Sequence, residues 1–363
     1  MIKQGQEFYL TESLQQHPSA FIIFGKDLSI KWMNNSSKYI FTCEDAEELK
    51  IKGVFSLGAS KKLEEVKIAS SFESNIEIQL RKITFFLRSR VHEVPLEDDS
   101  SFYLLEVITN SKESLEAMKG TITCIEHDRI DLAYQKQINL KTGKLVGLEA
   151  LLRLRDEDGN IIPNDKFIPL IEGESLFSLV VMSSLQKLKK AFELKNEFNM
   201  DGVTIYLNVS AHTAMQDNFT KIFADFVKDL SLKPGELGLE ITETAELEDV
   251  KKAGESFQKL KDIGIPLAID DFGAGYSSLS YLRDLPVDSV KLDKVFAKTI
   301  SEKTTSELIK FVVSVCDTLS LNMLGEGIET DDQKEKFIKI GCPNGQGYLM
   351  HRPEFIEDLK KSL

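Results

Sequence analysis

The sequence predicts an α/β protein in which a (β/α)8 barrel follows a smaller α/β domain. A chain of 363 residues, 42% of them hydrophobic, is long enough for both. From about residue 131 onward, short apolar runs alternate with longer amphipathic stretches, which is the pattern of parallel strands separated by helices. Eight such runs predict a (β/α)8 barrel. They cover residues 132–138, 146–154, 203–209, 237–241, 266–269, 289–292, 323–325 and 345–350.

A polar side chain stands at or near the end of every predicted barrel strand. The carboxyl ends of the strands converge on one mouth of such a barrel, so residues far apart in sequence meet there. A purely structural strand has no reason to place Glu149 between Leu148 and Ala150, because a buried unpaired carboxylate is costly. The repeated pattern predicts a metal- or phosphate-binding site at the mouth. The eight residues are Gln135, Glu149, Asn208, Glu240, Asp270, Lys291, Glu326 and Gln346.

Two adjacent aspartates, Asp270 and Asp271, end the fifth predicted barrel strand. Neighbouring side chains of a strand point to opposite faces, so these carboxylates share a cluster only where the backbone turns. Gly273 and Gly275 permit that turn. Taken alone, the segment is equally typical of a strand followed by a polar loop. Together with the other strand ends, it favours a divalent metal site.

The first 110 residues differ in character from the rest of the chain and predict a separate small α/β domain. Asn110, with Glu113 three positions later, is a helix-start signal. We therefore predict domains at 1–110 and 128–363, joined by a helix over 111–127. This helix either transmits a signal or acts as a passive spacer. The strand-like runs of the first domain cover residues 20–24, 29–34, 76–80, 84–91 and 102–108.

Composition and charge limit the partners and the location. A formal net charge of −13 disfavours binding to nucleic acid polymers or anionic membranes, which need a basic surface. A phosphate ligand would need metal ions to offset the acidic side chains. No apolar run is long enough to cross a bilayer, and the first residues lack the order of a secretory signal, so a cytoplasmic location is expected. The four cysteines lack paired metal or redox spacing and are expected to be reduced and mostly buried.

Seven motifs occur in order over roughly the last two thirds of the chain. They are EALLR at 149–153, LNVS at 207–210, LEITE at 239–243, DDFGAGYSSL at 270–279, KLD at 291–293, GEGIET at 325–330 and QGY at 346–348. This series resembles the EAL-domain family, the cyclic di-GMP phosphodiesterases of bacteria. Two departures from the family pattern lie near the predicted site: Gln135-Lys136-Gln137 replaces Gln-Pro-Ile in the first strand, and Ala274 stands where threonine is common. Neither departure removes a metal ligand.

The resemblance implies two divalent ions per active site, Mg²⁺ or Mn²⁺, because the implied ligands carry oxygen atoms. Glu149, Asn208, Glu240 and Asp270 are the implied ligands of one ion. Asp270, Asp271 and Glu326 are the implied ligands of the other. Two bridged ions lower the pKa of a shared water and clamp the attacking and leaving oxygens at phosphorus. The implied catalytic residues are Glu149, Asp271, Lys291 and Glu326.

Other residues are implied to bind the substrate or to support the site. Arg153 pairs with a substrate phosphate, and Lys291 orients the water or stabilises charge on the phosphoryl oxygens. Glu243 steadies the loop that carries the paired aspartates, and Glu329 supports the network. The remaining implied substrate-binding residues are Gln135, Leu152, Asn208 and Gln346.

Three of these residues have competing interpretations. Lys291 is also the type of residue that only neutralises an acidic cluster. Arg153 is also consistent with an ordinary surface cation. Glu329 is also consistent with a carboxylate that interacts with a helix dipole.

The N-terminal domain resembles a PAS domain. The segment HPSAFIIF at 17–24 leads into a Gly-Lys-Asp turn at 25–27 and then into IKWMN at 30–34. The same alternation is typical of any small half-buried sheet. The resemblance implies a sensory or dimerising domain, and a homodimer is expected.

The leading hypothesis is therefore a metal-dependent enzyme that hydrolyses cyclic di-GMP to the linear dinucleotide pGpG under control of its N-terminal domain. The first alternative is a receptor that binds cyclic di-GMP without cleaving it and signals through the connecting helix. The second is a scaffold that uses the barrel for protein contacts only.

Overall fold

The computed structural model describes residues 14–15, 19–25, 27–41, 43, 49–56, 71–80, 83–95, 101–107, 112–164, 167–168, 176–215, 219–242, 250–274 and 279–363. The chain divides into two compact units. One comprises Met1–Ile130 with Leu154–Ser183, and the other Asp131–Arg153 with Ser184–Leu363.

An antiparallel sheet of six strands forms the N-terminal part of the chain. The strands lie side by side in the order β2-β1-β6-β5-β4-β3. They are β1 Phe21–Phe24, β2 Ile30–Met33, β3 Leu49–Ser56, β4 Ser71–Leu80, β5 Ile83–Pro95 and β6 Ser101–Val107. The sequence did not predict β3. Its register shifts between Ile51 and Gly53, so a bulge interrupts the alternation that marks a strand.

Among the described residues, two helices belong to this unit in full, α1 Asn35–Phe41 and α2 Lys112–Glu126. Helix α2 lies where the sequence predicts a connecting helix over 111–127. The hydrophobic core includes Ile22, Phe24, Phe41 and Leu105, all with no exposed surface. Asn34 is equally buried and accepts hydrogen bonds from the backbone N–H groups of Phe21 and Ser37, each at 3.0 Å.

The second part of the chain forms a closed barrel of eight strands, as the sequence predicts. The strands follow one another in the order β7-β15-β14-β13-β12-β11-β10-β8, and pairing of β7 with β8 closes the barrel. These strands are β7 Ile130–Asn139, β8 Leu145–Arg155, β10 Thr204–Ser210, β11 Leu237–Thr242, β12 Leu267–Phe272, β13 Ser289–Leu292, β14 Asn322–Gly325 and β15 Asn344–Gly345. Two short strands pair on the outside, β9 Ile161–Ile162 with β8 and β16 Glu354–Phe355 with β7.

Two predictions about the barrel strands were wrong in detail. The first strand, β7, runs antiparallel to β15, and residues 140–144 connect it to β8 without a helix. A parallel crossover needs a dozen or more residues, so this short connection cannot build one. The eighth strand ends at Gly345 instead of 350. The chain then turns, and the N–H groups of Met350 and His351 donate to the Gly347 carbonyl at 3.1 Å and 3.0 Å. An added Cβ at Gly347 would lie 2.1 Å from the Ile328 carbonyl oxygen, so this position has no room for a side chain.

The helices around the barrel follow from amphipathic sequence. In α5, Phe219, Phe223 and Phe226 recur at helical spacing and are buried. Helix α10 begins with a capping box, in which Thr330 and Gln333 each accept a hydrogen bond from the other's backbone N–H. The helices in this region are α3 Leu176–Glu197, α4 Ala211–Ala214, α5 Phe219–Asp229, α6 Val250–Asp262, α7 Leu279–Asp284, α8 Lys294–Thr299, α9 Lys303–Leu319, α10 Asp331–Ile340 and α11 Ile356–Ser362.

The register of the barrel strands sets the level of the polar side chains. Asn208 of β10 lies opposite Glu240 of β11, and Glu149 of β8 lies opposite Tyr206 of β10. On the other side of β11, Thr242 lies opposite Asp270 of β12. These pairings bring Glu149, Asn208, Glu240 and Asp270 toward one level of the barrel.

Two further predictions concern single features of the chain. The four cysteines are free and buried, as expected. Within the described ranges, no helix is both long and apolar enough to cross a membrane. The cytoplasmic location stays a prediction.

Candidate active site

A buried lysine lies at the centre of a cluster of carboxylates. Lys291 Nζ on β13 lies 2.7 Å from Glu240 Oε2, 2.9 Å from Asp270 Oδ1, 2.8 Å from Glu326 Oε1 and 3.6 Å from Glu149 Oε1. The carboxylates come from β8, β11, β12 and the residue after β14. The lysine side chain is 2% exposed, so these charges interact with little water between them.

Side-chain amides fix the orientation of Glu149. Asn208 Nδ2 donates to Glu149 Oε1 at 2.8 Å, and Gln346 Nε2 donates to Glu149 Oε2. Gln346 Nε2 also donates to Gln135 Oε1 at 2.9 Å. Gln135 in turn donates to the backbone carbonyl of His351 at 2.9 Å. Both oxygens of a fully buried carboxylate therefore have a neutral donor.

One ammonium group does not balance this cluster. Burial alone would lower the pKa of Lys291, but the surrounding carboxylates raise it well above its usual range. Burial opposes ionisation of Glu149, yet Lys291 and the two amides hold the Glu149 pKa below its usual value. Burial and the nearby Glu149 charge raise the pKa of Glu240 well above its ordinary value, and burial raises the pKa of Glu326 to about 8. Further positive charge would stabilise the ionised cluster.

Asp271 extends the cluster toward solvent. Its φ of +53° lies in the left-handed region, so the backbone turns at the strand end and the carboxylate joins that of Asp270. Gly273 follows with φ +91°, where an added Cβ would lie 2.4 Å from the Phe296 ring. Burial raises the pKa of Asp271 to about 6, with further contributions from Asp270 and Asp293.

Two groups of carboxylates have the spacing of metal ligands. Glu149, Glu240 and Asp270 offer ligand atoms within 4.8 Å of one another, and so do Asp270, Asp271 and Glu326. Asp270 belongs to both groups. Its Oδ1 is buried and lies 2.9 Å from Lys291 Nζ, yet no donor among the described residues meets it with hydrogen-bond geometry. An oxygen-rich donor set with a buried acceptor fits hard divalent cations such as Mg²⁺ or Mn²⁺.

A cavity of about 470 Å³ opens beside the carboxylates. Lys294 and Lys298 of α8 line it with an exposed aromatic residue, Tyr348. The cavity therefore has acidic, basic and aromatic walls. Its other lining residues are Gln135, Glu149, Leu151, Asp270, Asp271, Glu326, Gly327, Glu329, Gln346 and Gly347.

Three residues singled out from the sequence, Leu152, Arg153 and Glu329, lie outside the carboxylate cluster. Leu151 lines the cavity, because alternate residues of β8 share a face and Leu151 is two positions after Glu149. Leu152 points to the other face of the strand and is not among the described residues that line the cavity. Arg153 is partly buried and donates to the Leu152 carbonyl at 2.8 Å. Glu329 lines the cavity wall but is exposed. Glu243 lies outside the described residues.

Several residues at the site were not predicted. Asp293 caps helix α8 by accepting from the Val295 N–H at 2.8 Å, and it lies beside Asp271. Its position between a strand and a basic helix was the available signal. Gln137 Nε2 donates to Glu240 Oε1 at 2.9 Å. The two-residue spacing from Gln135, which places both on one face of β7, would have identified it.

The fold and the site define a (β/α)8-type barrel with an acidic cluster at the carboxyl ends of its strands. The model of the EAL domain family matches residues 116–353, about two thirds of the chain. The chain belongs to the EAL-domain family.

Relatives of known name match this chain over most of its length. Cyclic di-GMP phosphodiesterase PdeA of Borreliella burgdorferi is 29% identical over 354 residues, which cover 89% of this chain and 52% of PdeA. Cyclic di-GMP phosphodiesterase PA2567 of Pseudomonas aeruginosa is 32% identical over 232 residues, or 63% of this chain and 39% of that protein. The chain thus spans about half the length of these relatives or less.

A solved structure shares the barrel. The phosphodiesterase of MucR from Pseudomonas aeruginosa, in complex with c-di-GMP, is 28% identical with a TM-score of 0.63. The match covers 67% of this chain and 99% of that one.

Proposed function

We propose that this chain is a metal-dependent phosphodiesterase that hydrolyses cyclic di-GMP to pGpG. The observation that carries the proposal is the contact of Lys291 with carboxylates from β8, β11, β12 and the residue after β14. A structural core gains nothing from such a cluster, because burying charges is costly even when they are paired. The names of the relatives support cyclic di-GMP as the substrate.

The carboxylates and Asn208 would hold two divalent cations. Asp270 belongs to both sets of ligands. When bound, the ions would supply Lewis acidity at phosphorus and a water of lowered pKa. The first set is Glu149, Asn208, Glu240 and Asp270, and the second is Asp270, Asp271 and Glu326.

Residues of this chain would hold the reacting groups in place. Asn208 and Gln346 keep Glu149 in one orientation, so its ligand atom needs no rearrangement during the reaction. Lys291 supplies a fixed positive charge beside the reacting phosphoryl group. We propose Arg153 as a further phosphate contact, because only its Nη1 donates to the Leu152 carbonyl and the guanidinium has further N–H donors. A new P–O bond to water forms as one ring P–O bond breaks, which opens the cyclic dinucleotide.

The test is incubation of the purified chain with cyclic di-GMP and Mg²⁺ or Mn²⁺, with chromatography of the products. We expect pGpG from the wild type, none with a chelator, and at least about a thousandfold less from Glu149→Gln. Glu236→Gln is the matched control, because Glu236 pairs with Lys195 at 2.6 Å away from the carboxylate cluster. Nucleotide binding without product would instead support a receptor. Absence of both binding and product would contradict the proposal.

We also propose that residues 1–110 form a PAS-like regulatory domain that acts through α2 and that the protein is a homodimer. The antiparallel sheet and the position of α2 support a separate module before the barrel. Light scattering would give twice the 41.0 kDa chain mass for a dimer, and the chain mass itself would contradict it. A severalfold difference in hydrolysis rate between the whole chain and one starting at residue 112 would support regulation, and equal rates would contradict it.

A further inference from the structure

Gln137 is a buried polar residue that the proposed mechanism does not use. Its side chain is inside the barrel, where the residue is 3% exposed. Gln137 Nε2 donates to Glu240 Oε1 at 2.9 Å, while Glu240 Oε2 accepts from Lys291 at 2.7 Å. The two oxygens of Glu240 therefore have different partners. One is held by an amide of β7 and the other faces the acidic cluster.

The space for the Gln137 amide is provided by a glycine on the neighbouring strand. A Cβ at Gly147 of β8 would lie 2.3 Å from Gln137 Oε1 and 3.3 Å from the Thr204 carbonyl oxygen. With no side chain there, the carboxamide oxygen packs over Gly147 and the amide nitrogen points to Glu240. The contact is thus set by the packing of two strands as well as by one hydrogen bond.

A second cavity, of about 330 Å³, lies on the far side of the carboxylate cluster. Its walls include Thr204, Ala268, Ser289 and Asn322, which stand at the amino-terminal ends of the parallel strands. Gln137, Glu240 and Lys291 also line it. Water in such a polar space is able to solvate Glu240 Oε1 if the amide is removed. Removal of the amide would therefore free the Glu240 carboxylate to rotate, and water in the cavity would solvate its Oε1.

We propose that Gln137 is a positioning residue that holds Glu240 for divalent-cation binding. This inference rests on the proposed function, because it assigns Glu240 as a cation ligand. The Gln137 amide keeps Oε1 turned away from the cluster and so leaves Oε2 as the oxygen presented to it. Removal of a group that hydrogen-bonds to a metal ligand and orients it typically weakens metal binding by about 10–100-fold.

The test uses Gln137→Met, which has a similar length and no amide. Thr204→Val is the matched control, because Thr204 lines the same cavity but donates to the Gly235 carbonyl at 2.7 Å. Mn²⁺ binding to the whole chain is measured by calorimetry without nucleotide, and kcat and KM for cyclic di-GMP are measured over a range of Mn²⁺ concentrations.

For Gln137→Met we expect Mn²⁺ to bind about 10–100-fold more weakly. We expect KM for cyclic di-GMP to stay within about twofold and the lost kcat to return at higher Mn²⁺, since only cation occupancy is changed. Thr204→Val should match the wild type. Unchanged Mn²⁺ affinity in Gln137→Met, or loss of kcat that Mn²⁺ does not restore, would overturn the inference.

Two further outcomes keep the inference separate from the proposed function. A wild type that neither binds Mn²⁺ nor hydrolyses cyclic di-GMP refutes the proposed function and the inference with it. An active wild type with a Gln137→Met variant that is equally active at sub-saturating Mn²⁺ refutes the inference alone. Gln137→Asn, whose amide is one methylene short, should also weaken Mn²⁺ binding. If both variants fail to fold while Thr204→Val folds, the amide serves the barrel itself and the inference is overturned.

Discussion

The N-terminal sheet and the barrel bury different chemistry. Around the sheet, the buried polar side chains among the described residues are neutral, as in Asn34 and Ser37, and backbone groups satisfy them. The barrel buries Glu149, Glu240 and Lys291 at 5% exposure or less. Neutral groups with backbone partners cost little to bury, whereas charges cost several kcal/mol each. The comparison shows that the barrel interior retains groups which stability alone does not favour.

The largest expected effect comes from removing the central cation. Lys291→Met should abolish hydrolysis and lower the free energy of unfolding by about 3–5 kcal/mol, because buried carboxylates lose their counter-charge. Thermal unfolding with and without Mn²⁺ measures the loss of stability, and chromatography of the products measures the loss of hydrolysis.

Lys195→Met is the matched control for Lys291→Met. Lys195 is 4% exposed and pairs with Glu236 away from the cluster, so its loss should also destabilise the protein. We expect Mn²⁺ to raise the melting temperature of Lys291→Met more than that of Lys195→Met. Equal shifts would contradict the expectation that Mn²⁺ replaces the lost counter-charge, and no shift in either variant would show that the cluster does not bind the cation.

A smaller effect is expected in the sheet. Asn34→Ala removes a side chain that bonds to Phe21, Ser37 and Ser19. Leaving these buried backbone groups without a partner should cost about 1–3 kcal/mol. The Mn²⁺ affinity of the barrel should not change, because the groups that hold the cation are untouched. Urea unfolding measures the free energy of unfolding, and calorimetry measures the Mn²⁺ affinity. Weaker Mn²⁺ binding in Asn34→Ala would contradict the assignment of cation binding to the barrel alone.

The barrel and the residues at its mouth were predictable because a polar or acidic residue recurs in or after successive apolar runs. Glu149, Glu240 and Asp270 each interrupt an apolar run, and barrel topology brings such residues together. The direction of β7 was not predictable from its apolar pattern, which is the same for parallel and antiparallel strands. The five-residue connection to β8 was the signal that an antiparallel pair follows.

Contacts that depend on side-chain direction were harder to predict. Gln137 appeared in the sequence as a departure from the family pattern, and only the fold shows its amide against Glu240. Leu151 lines the cavity because side chains alternate along β8. The EALLR motif by itself does not state which of its two leucines shares a face with Glu149. In the N-terminal sheet, β3 was missed because its bulge interrupts the alternation.

The smallest expected effect is a pH dependence at His351. Burial, followed by the charge of Lys136, lowers the pKa of His351. Between this lowered pKa and about 6.5, the unfolded chain binds more protons than the folded chain, so stability rises with pH in that window and falls as pH drops through it.

His351→Asn should therefore lose less stability than the wild type between pH 7.5 and pH 5. Urea unfolding at both pH values measures this difference. A larger loss of stability in His351→Asn than in the wild type would contradict the lowered pKa of His351.

The central claim is that the buried acidic cluster activates water against cyclic di-GMP. The most direct test is mass spectrometry of the product formed in ¹⁸O-labelled water with Mn²⁺. The account predicts pGpG with one ¹⁸O atom in its new terminal phosphate from the wild type, and no product from Asp270→Asn. Unreacted cyclic di-GMP with the wild type at saturating Mn²⁺, or equal labelled product from Asp270→Asn, would contradict the claim.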